Sequence, residues 1–391
     1  MPHTPITLPL LRLGRLQLDP GLRALQPVSA ASGLVVTATV PVPESSANRQ
    51  YAWDVAWADA AREAGRLGAD QATARALAGG AGDALTGGTR VVVAAHGEVL
   101  LARWLAPGAG ASSVRVGPLP HLLEAAAAAA RRPAYVVVLA DRDGTDIIAH
   151  PSGEQLPARR FPADHRPGAP RDPHPGRPPA QHHGPRHVTD SEPESGGQRN
   201  AEFIAGRVSE AADSVSAHIV LGAGDQHILK AVEAHLPSSV GPITTIAGGR
   251  QPDGRNDHLS AAIGAALDEI TAAAVSAVGD RIASLAEGPS PAAVRGIKAV
   301  AEQLAEQQVA VLLVTADLDR DADPHSSYRI GSRPTEFLVG DPDTGVEVPL
   351  EDGLVWAALH QDAIVAELQD RTGPLAGEPA AALLRRGSAS W

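Results

Sequence analysis

Runs of apolar residues at strand or helical spacing divide the chain into α/β sections. Near the N-terminus the β-branched run Leu34 to Val42 predicts a strand, because it is short and bounded by prolines. From Ala47 to Leu67 apolar residues recur at helical spacing and predict a helix. Trp53 and Trp57 lie four residues apart within this helix and share one face. The tryptophan pair therefore predicts a packing seam in the first core.

Two pairs of apolar runs further along predict β-hairpins. Each pair flanks a dipeptide that favours a tight turn, His96-Gly97 in the first and Asp143-Gly144 in the second. Between them, Pro120 to Arg132 predicts a helix. The four strands are predicted at Arg90 to Ala95, Glu98 to Leu105, Tyr135 to Ala140 and Thr145 to Ala149. This order predicts a mixed sheet with helices.

Regular patterning stops from Pro151 to Ser195. The stretch is rich in Pro and Gly and has too few apolar residues to offset the entropy of ordering it. It predicts a long basic loop that ends at Gly196-Gly197-Gln198, with a helix beginning near Arg199. The loop also contains several histidines, His187 among them. Its arginines are Arg159, Arg160, Arg166, Arg171, Arg177 and Arg186.

The rest of the chain alternates helical and β-branched runs. After the helix Arg199 to Ala217, a strand, a helix and a strand are predicted at His218 to Leu221, Asp225 to His235 and Ile243 to Ala247. The last section, from about Pro252, predicts a small α/β sandwich. Its predicted helices are an Ala-rich one ending at Leu285, Pro291 to Gln308 and Leu354 to Gln369; its strands are Val309 to Thr315 and Glu336 to Val339.

Length and charge limit the classes of function. A chain of 391 residues suits two or three domains, and the absence of cysteine excludes disulfides, thiolate metal sites and thiol catalysis. The net charge of −12 argues against wrapping DNA or RNA, so any RNA contact is expected to be local. Met1 to Leu18 lacks the features of a secretion signal, and no later run is expected to reach the roughly 20 apolar residues of a membrane helix. A cytoplasmic protein without membrane contact is expected.

The sharpest chemical feature is the triplet Gly196-Gly197-Gln198 at the end of the basic loop. Two glycines let the backbone approach RNA closely, and a Gln amide can orient a water or stabilise an oxyanion. Gln198 is thus the candidate catalytic residue. The candidate RNA-binding set joins the triplet to the loop's six arginines, His187 and Arg199.

Other motifs allow rival hypotheses. Asp141, Asp143 and Asp146 have the residue types of a Mg²⁺-dependent nuclease, although a hairpin turn and solvent exposure also explain them. Gly222-Ala223-Gly224 is like part of a dinucleotide loop, but His227 stands where a third glycine is needed, which favours a tight strand-to-helix turn. The loop histidines lack fixed supporting ligands. No cofactor and no metal site are expected.

The triplet and its flanks resemble the bacterial relatives of the archaeal and eukaryotic peptide-chain release factor and Pelota superfamily. The resemblance covers the hairpins around Gly97 and Gly144, the helix after the triplet and the strand His218 to Gly224. It extends to the third section, where Ala292 to Gln308 precedes the central strand from Val309. It is closest to the branch that includes Balon-like hibernation factors.

The resemblance implies three α/β domains. They are residues 1–87, an N-terminal domain on the decoding side; residues 88–251, a middle domain carrying the basic loop 151–198; and residues 252–391, a C-terminal α/β sandwich. It also implies binding to the A site of the 70S ribosome, with the loop near the peptidyl transferase centre and elongation factor Tu as a further partner.

Departures from the termination factors separate the implied functions. The first section has no Asn-Ile-Lys-Ser motif, and the helix after the triplet mixes Arg199 and Arg207 with acidic residues. Blocking the A site during dormancy or stress is therefore preferred over catalysis. The alternatives are codon-independent peptidyl-tRNA hydrolysis through the triplet and RNA cleavage at the aspartate cluster.

Overall fold

The fold comes from a computed structural model that describes residues 33–43, 48–84, 88–105, 112–141, 144–152, 159–163, 192–250, 257–286, 292–315, 318, 328–330, 337–339, 345–368 and 375–385. The chain divides into two units. Unit 1 contains residues 1–133, 152–156 and 267–391, and unit 2 contains residues 134–151 and 157–266. Both are mixed α/β structures, which confirms the predicted fold class.

Unit 1 begins with an antiparallel sheet of order β3-β2-β1-β4. Its strands are β1 (Val35–Pro41), β2 (Thr89–Ala95), β3 (Glu98–Leu105) and β4 (Ser113–Gly117), with α1 (Arg49–Arg66) and α2 (Gln71–Gly79) beside them. The predicted hairpin joins β2 to β3, with positive φ at His96 and Gly97. Trp53 and Trp57 are buried with their ring centroids 5.7 Å apart, so the predicted packing seam is confirmed.

A second sheet of unit 1 is built from the C-terminal part of the chain, in the order β10-β16-β11-β15. The strands are β10 (Ala293–Arg295), β11 (Val309–Thr315), β15 (Ile364–Leu368) and β16 (Ala380–Leu384), and a small sheet contains β12 (Tyr328–Ile330), β13 (Phe337–Val339) and β14 (Val346–Glu347). The helices are α3 (Leu123–Arg131), α7 (Ile297–Ala305) and α8 (Leu350–His360). One core joins Val35 and Val93 of the first sheet to Leu312 of the second and Leu354 of α8.

Unit 2 is a five-stranded mixed sheet of order β7-β6-β5-β8-β9. Its strands are β5 (Tyr135–Ala140), β6 (Thr145–His150), β7 (Arg159–Ala163), β8 (Ile219–Gly224) and β9 (Ile243–Thr245). The helices are α4 (Glu192–Val215) and α5 (Gln226–Glu233), and α6 (Asp257–Leu285) begins here and continues into unit 1. The pairs β5–β8 and β8–β9 are parallel, whereas the pairs β5–β6 and β6–β7 are antiparallel.

Three predicted elements differ from the structure. The region predicted as a loop from Pro151 contains β7 and the start of α4, because β7 pairs with β6 and α4 begins at Glu192. The helix predicted from Pro291 is a strand, β10, followed by the shorter helix α7. The helix predicted to end at Gln369 is α8 followed by β15. The borders of the two units differ from the predicted domain borders. The three-domain layout stays a prediction.

The stretch His258–Leu285 of α6 is long and apolar enough to cross a membrane, judged by length and composition alone. The prediction that no run reaches this limit was wrong for this helix, because its many alanines count as apolar. Such a helix is weak ground for a membrane assignment, since core helices meet the same criterion. Ile282 packs in a core of unit 1, and Asp268 accepts a 2.7 Å hydrogen bond from Arg132.

Candidate functional site

The candidate site lies on unit 2, where α4 packs on the sheet. Apolar residues recur every three or four positions on the inner face of α4. Among them, Ile204, Ala205 and Val208 are at most 2% exposed. This stripe packs against Phe161 of β7 and the inward residues of β5 and β6. The guanidinium of Arg207 lies 5.3 Å from the centroid of the Phe161 ring, and Arg207 also pairs with Glu210. The packing fixes the position of the helix on the sheet.

The triplet lies within α4 rather than ahead of it. Gly196, Gly197 and Gln198 fall in the first two turns of a helix that begins at Glu192, which corrects the predicted start near Arg199. The acidic run before the triplet supplies the first turn, where carboxylates favour the positive end of the helix dipole. Gln198 and Arg199 are exposed. The helix therefore presents the candidate catalytic amide and one candidate RNA-binding guanidinium to solvent.

Two arginines of the predicted loop lie in β7, at the edge of the sheet. Arg159 pairs with Ala149 and Arg160 with Ile148 across the β6–β7 ladder. The side chain of Arg160 is exposed. The other candidate RNA-binding residues of the loop lie outside the described part of the chain: Arg166, Arg171, Arg177, Arg186 and His187.

A stacked ring pair beside Arg160 is a feature that sequence reasoning missed. Tyr135 and His150 face each other across β5 and β6, with ring centroids 4.4 Å apart and planes 5° from parallel. Burial, and then the charge of Arg160, lower the pKa of His150 to about 4. In the described part of the chain, the Nδ1 atom of His150 has no hydrogen-bond partner. The register of the Asp143-Gly144 hairpin was the signal that could have paired these rings.

The proposed nuclease carboxylates are bound to an arginine. Arg250 donates from Nε to Asp146 at 2.8 Å and from a terminal nitrogen to Asp141 at 3.1 Å. Asp141 also accepts the Gly144 N–H at 2.9 Å, closing the hairpin turn. The hydrogen bond that Arg250 donates to Asp146 is the largest cause of the raised pKa of Arg250. Asp143 lies outside the described residues, and Mg²⁺ at the other two would have to displace the guanidinium.

The glycines at the end of β8 allow the close approach of two parallel strands. Gly224 has a φ of +110°, and a Cβ there would lie 2.0 Å from the carbonyl oxygen of Ala140. The next residue, Asp225, donates its N–H to the same oxygen and caps α5 with its carboxylate. The observed geometry is the tight strand-to-helix turn that the sequence favoured over a dinucleotide loop.

One further cluster of ligand-type side chains occurs among the described residues, in unit 1. His121, Glu351 and Asp352 are each at most 7% exposed, and their donor atoms lie within 4.8 Å of one another. Nδ1 of His121 is 2.7 Å from Asp352 and Nε2 is 3.3 Å from Glu351. Each ring nitrogen faces a different carboxylate, so the arrangement fits an ionic contact between one ring and two carboxylates.

Comparisons with known proteins relate unit 2 to the release factors. Residues 134–286 match the family described as bacterial archaeo-eukaryotic release factor family 2. The match spans less than half of the chain but includes the stacked rings, the triplet and Arg250. This segment is therefore similar to the release-factor superfamily. No curated protein matches the chain.

Several solved structures align over nearly the whole chain at low similarity. A structure described as a model of ribosome-bound archaeal Pelota and ABCE1 is 15% identical, covering 96% of this chain and 97% of that one, with a TM-score of 0.41. Pelota of Archaeoglobus fulgidus is 14% identical over 95% and 93%, with a TM-score of 0.30. An archaeal translation termination factor is 14% identical over 96% and 98%, with a TM-score of 0.21.

Proposed function

We propose that this protein is a cytoplasmic ribosome-binding factor that occupies the A site and blocks translation in dormancy or stress. In this proposal residues 151–198 lie near the peptidyl transferase centre, and elongation factor Tu takes part in delivery. The three predicted domains would span the distance from the decoding site to that centre. No cofactor takes part.

The observation that carries the proposal is the family match of residues 134–286, within which the triplet lies in the first two turns of α4 and Gln198 is exposed. Arg160 and Arg199 are exposed on the same unit, one at the sheet edge and one on the helix. Guanidinium groups bind phosphate oxygens through paired hydrogen bonds. A local set of arginines on a chain of net charge −12 supports contact with RNA at one place rather than over the whole surface.

A deletion that spares the neighbouring strand and helix can test ribosome binding. Removing residues 166–189 takes out Arg166, Arg171, Arg177 and Arg186 but leaves β7 and α4 in place. The deletion variant, and a variant with these four arginines changed to Glu, should sediment with 70S ribosomes at least about tenfold more weakly and with a smaller salt dependence. Equal co-sedimentation of the deletion variant would refute the proposal.

A control reverses the same amount of charge elsewhere. Arg62, Arg66, Lys230 and Lys298 are exposed and lie outside the candidate site. Changing these four to Glu should leave ribosome binding close to the wild-type level. If both fourfold variants lose binding alike, the effect is one of net charge, and the arginines of residues 151–198 have no special role.

A second candidate function, codon-independent release of peptidyl-tRNA, is favoured by the exposed Gln198. An amide at this position can orient the attacking water, as the sequence suggests. Under this alternative Gln198→Ala abolishes hydrolysis of peptidyl-tRNA on stalled ribosomes and leaves sedimentation unchanged. Under the blocking proposal, the wild-type protein releases no peptide above background.

A further inference from the structure

The buried trio of His121, Glu351 and Asp352 in unit 1 is not explained by the proposed function. His121 lies between β4 and α3, and the two carboxylates lie in the first turn of α8. The backbone N–H of His121 donates to the Thr37 hydroxyl of β1 at 3.0 Å, which attaches the backbone of this residue to the first sheet. The trio therefore connects the first sheet to a helix more than 200 residues later in the chain.

Each ring nitrogen faces a carboxylate, and only a ring with two protons turns an N–H towards both. A neutral imidazole donates from one nitrogen only, so its other nitrogen would turn a lone pair towards a carboxylate oxygen. The 2.7 Å distance from Nδ1 to Asp352 is typical of a charge-assisted hydrogen bond. Two buried carboxylates without a cation nearby would also be costly to desolvate.

The charges around the ring favour the protonated form. Burial lowers the pKa of His121, but the hydrogen bond and charge of Asp352 and the charge of Glu351 outweigh that effect, and the pKa is raised above its usual value. Arg115 of β4 opposes the rise. These three are the charged groups that act on the ring among the described residues.

We propose that His121 is an imidazolium that fastens the start of α8 to the first sheet, and that this fastening is released when the ring loses a proton. After deprotonation, one carboxylate faces a lone pair in a site with little water. The first turn of α8 then separates most readily from the segment between β4 and α3. The device makes the packing within unit 1 sensitive to alkaline pH.

The sign of the pH effect follows from proton linkage. The folded-state pKa lies above the unfolded value, so the stabilising contribution is complete below about pH 6.5 and is lost as pH rises through the folded-state pKa. The urea concentration at the unfolding midpoint of the wild-type protein should therefore decrease as pH rises through the folded-state pKa. Asp352→Asn should remove most of that fall, because its amide no longer favours the charged ring. His360→Gln, in the same helix, should keep it.

The protonation state can be read directly from the wild-type protein with nitrogen-15-labelled histidine. The ring of His121 should keep both protons above the ordinary histidine pKa of about 6.5, and Glu351→Gln should shift its signals. The proposal fails if this ring loses a proton below that pH. It also fails if one equivalent of zinc stays with the folded protein after dialysis against a chelator and is lost in His121→Gln. The spectra decide even if the variants do not fold.

Discussion

Single side chains of the candidate site depend on partners that are distant in sequence. Asp141 and Asp146 have the residue types of a metal site, but Arg250, more than 100 residues away, binds both. His121 and Asp352 are 231 residues apart. A single sequence identifies such residues as ionisable but cannot show whether a carboxylate faces a cation or an imidazole. By contrast, Gln198 is a candidate from its motif alone, because a tripeptide is a local signal.

His150 allows a prediction at this scale. With a folded-state pKa of about 4, it stays neutral while the unfolded chain takes up a proton below about pH 6.5. Stability is therefore lost as pH falls from about 6.5 to about 4, by up to about 3 kcal/mol. His150→Gln should flatten this part of the urea-midpoint curve.

The matched control is His227→Gln, an exposed histidine of the same unit. It should leave the acid side of the curve unchanged. Chemical unfolding at several pH values, followed by circular dichroism, checks both variants. If the His150 variant keeps the wild-type slope, this histidine takes up its proton over the same pH range in the folded and unfolded protein, and the electrostatic description of the stacked pair is wrong.

Elements were predictable where the apolar pattern had a clear period and not where it lacked one. The first strand, the two hairpins and β11 follow from β-branched runs and turn dipeptides. Alanine favours helices, so nothing predicted the strand β16, whose five residues Ala380–Leu384 are buried in the middle of its sheet. The helix α8 is buried from Leu350 to Leu359, and its pattern shows no boundary with the apolar strand that follows.

The two glycines of the triplet are expected to weaken the start of α4. Two adjacent glycines in a helix cost roughly 0.5 to 1 kcal/mol each relative to alanine, so the first two turns should open more readily than the rest. Changing both Gly196 and Gly197 to Ala should slow amide hydrogen exchange in residues 192–200 about tenfold, since 1.4 kcal/mol corresponds to a factor of ten.

Gly206 provides the control within the same helix, because a Cβ at this position meets nothing within 4 Å. Gly206→Ala should raise the stability of unit 2 without selectively slowing exchange at residues 192–200. Mass spectrometry of exchanged peptides distinguishes the two variants. Unchanged exchange in the double variant would mean that the triplet's helical turns are already held closed by other contacts.

At the scale of the whole molecule, unit 2 is an insertion into unit 1. Apart from the short segment 152–156, unit 1 leaves off at residue 133 and resumes at residue 267. The two ends are close together within unit 1, because Arg132 binds Asp268 at 2.7 Å and the Thr271 hydroxyl donates to the Arg131 carbonyl at 3.2 Å. A sequence-based division into consecutive domains cannot represent a unit whose parts are separated by more than a hundred residues.

This topology predicts that unit 1 folds without unit 2. Replacing residues 134–266 by a Gly-Ser linker of about six residues, with a mean span of roughly 13 Å, should join the two ends without strain. The change removes the Ser152 carbonyl that accepts from Arg103, at a cost of about 1.5 to 3 kcal/mol. All five tryptophans lie outside residues 134–266, so their fluorescence reports on the remaining chain. The excised protein should unfold cooperatively in urea with nearly the wild-type fluorescence change; a gradual transition, or tryptophans already exposed in water, would show that unit 1 depends on unit 2 for its fold.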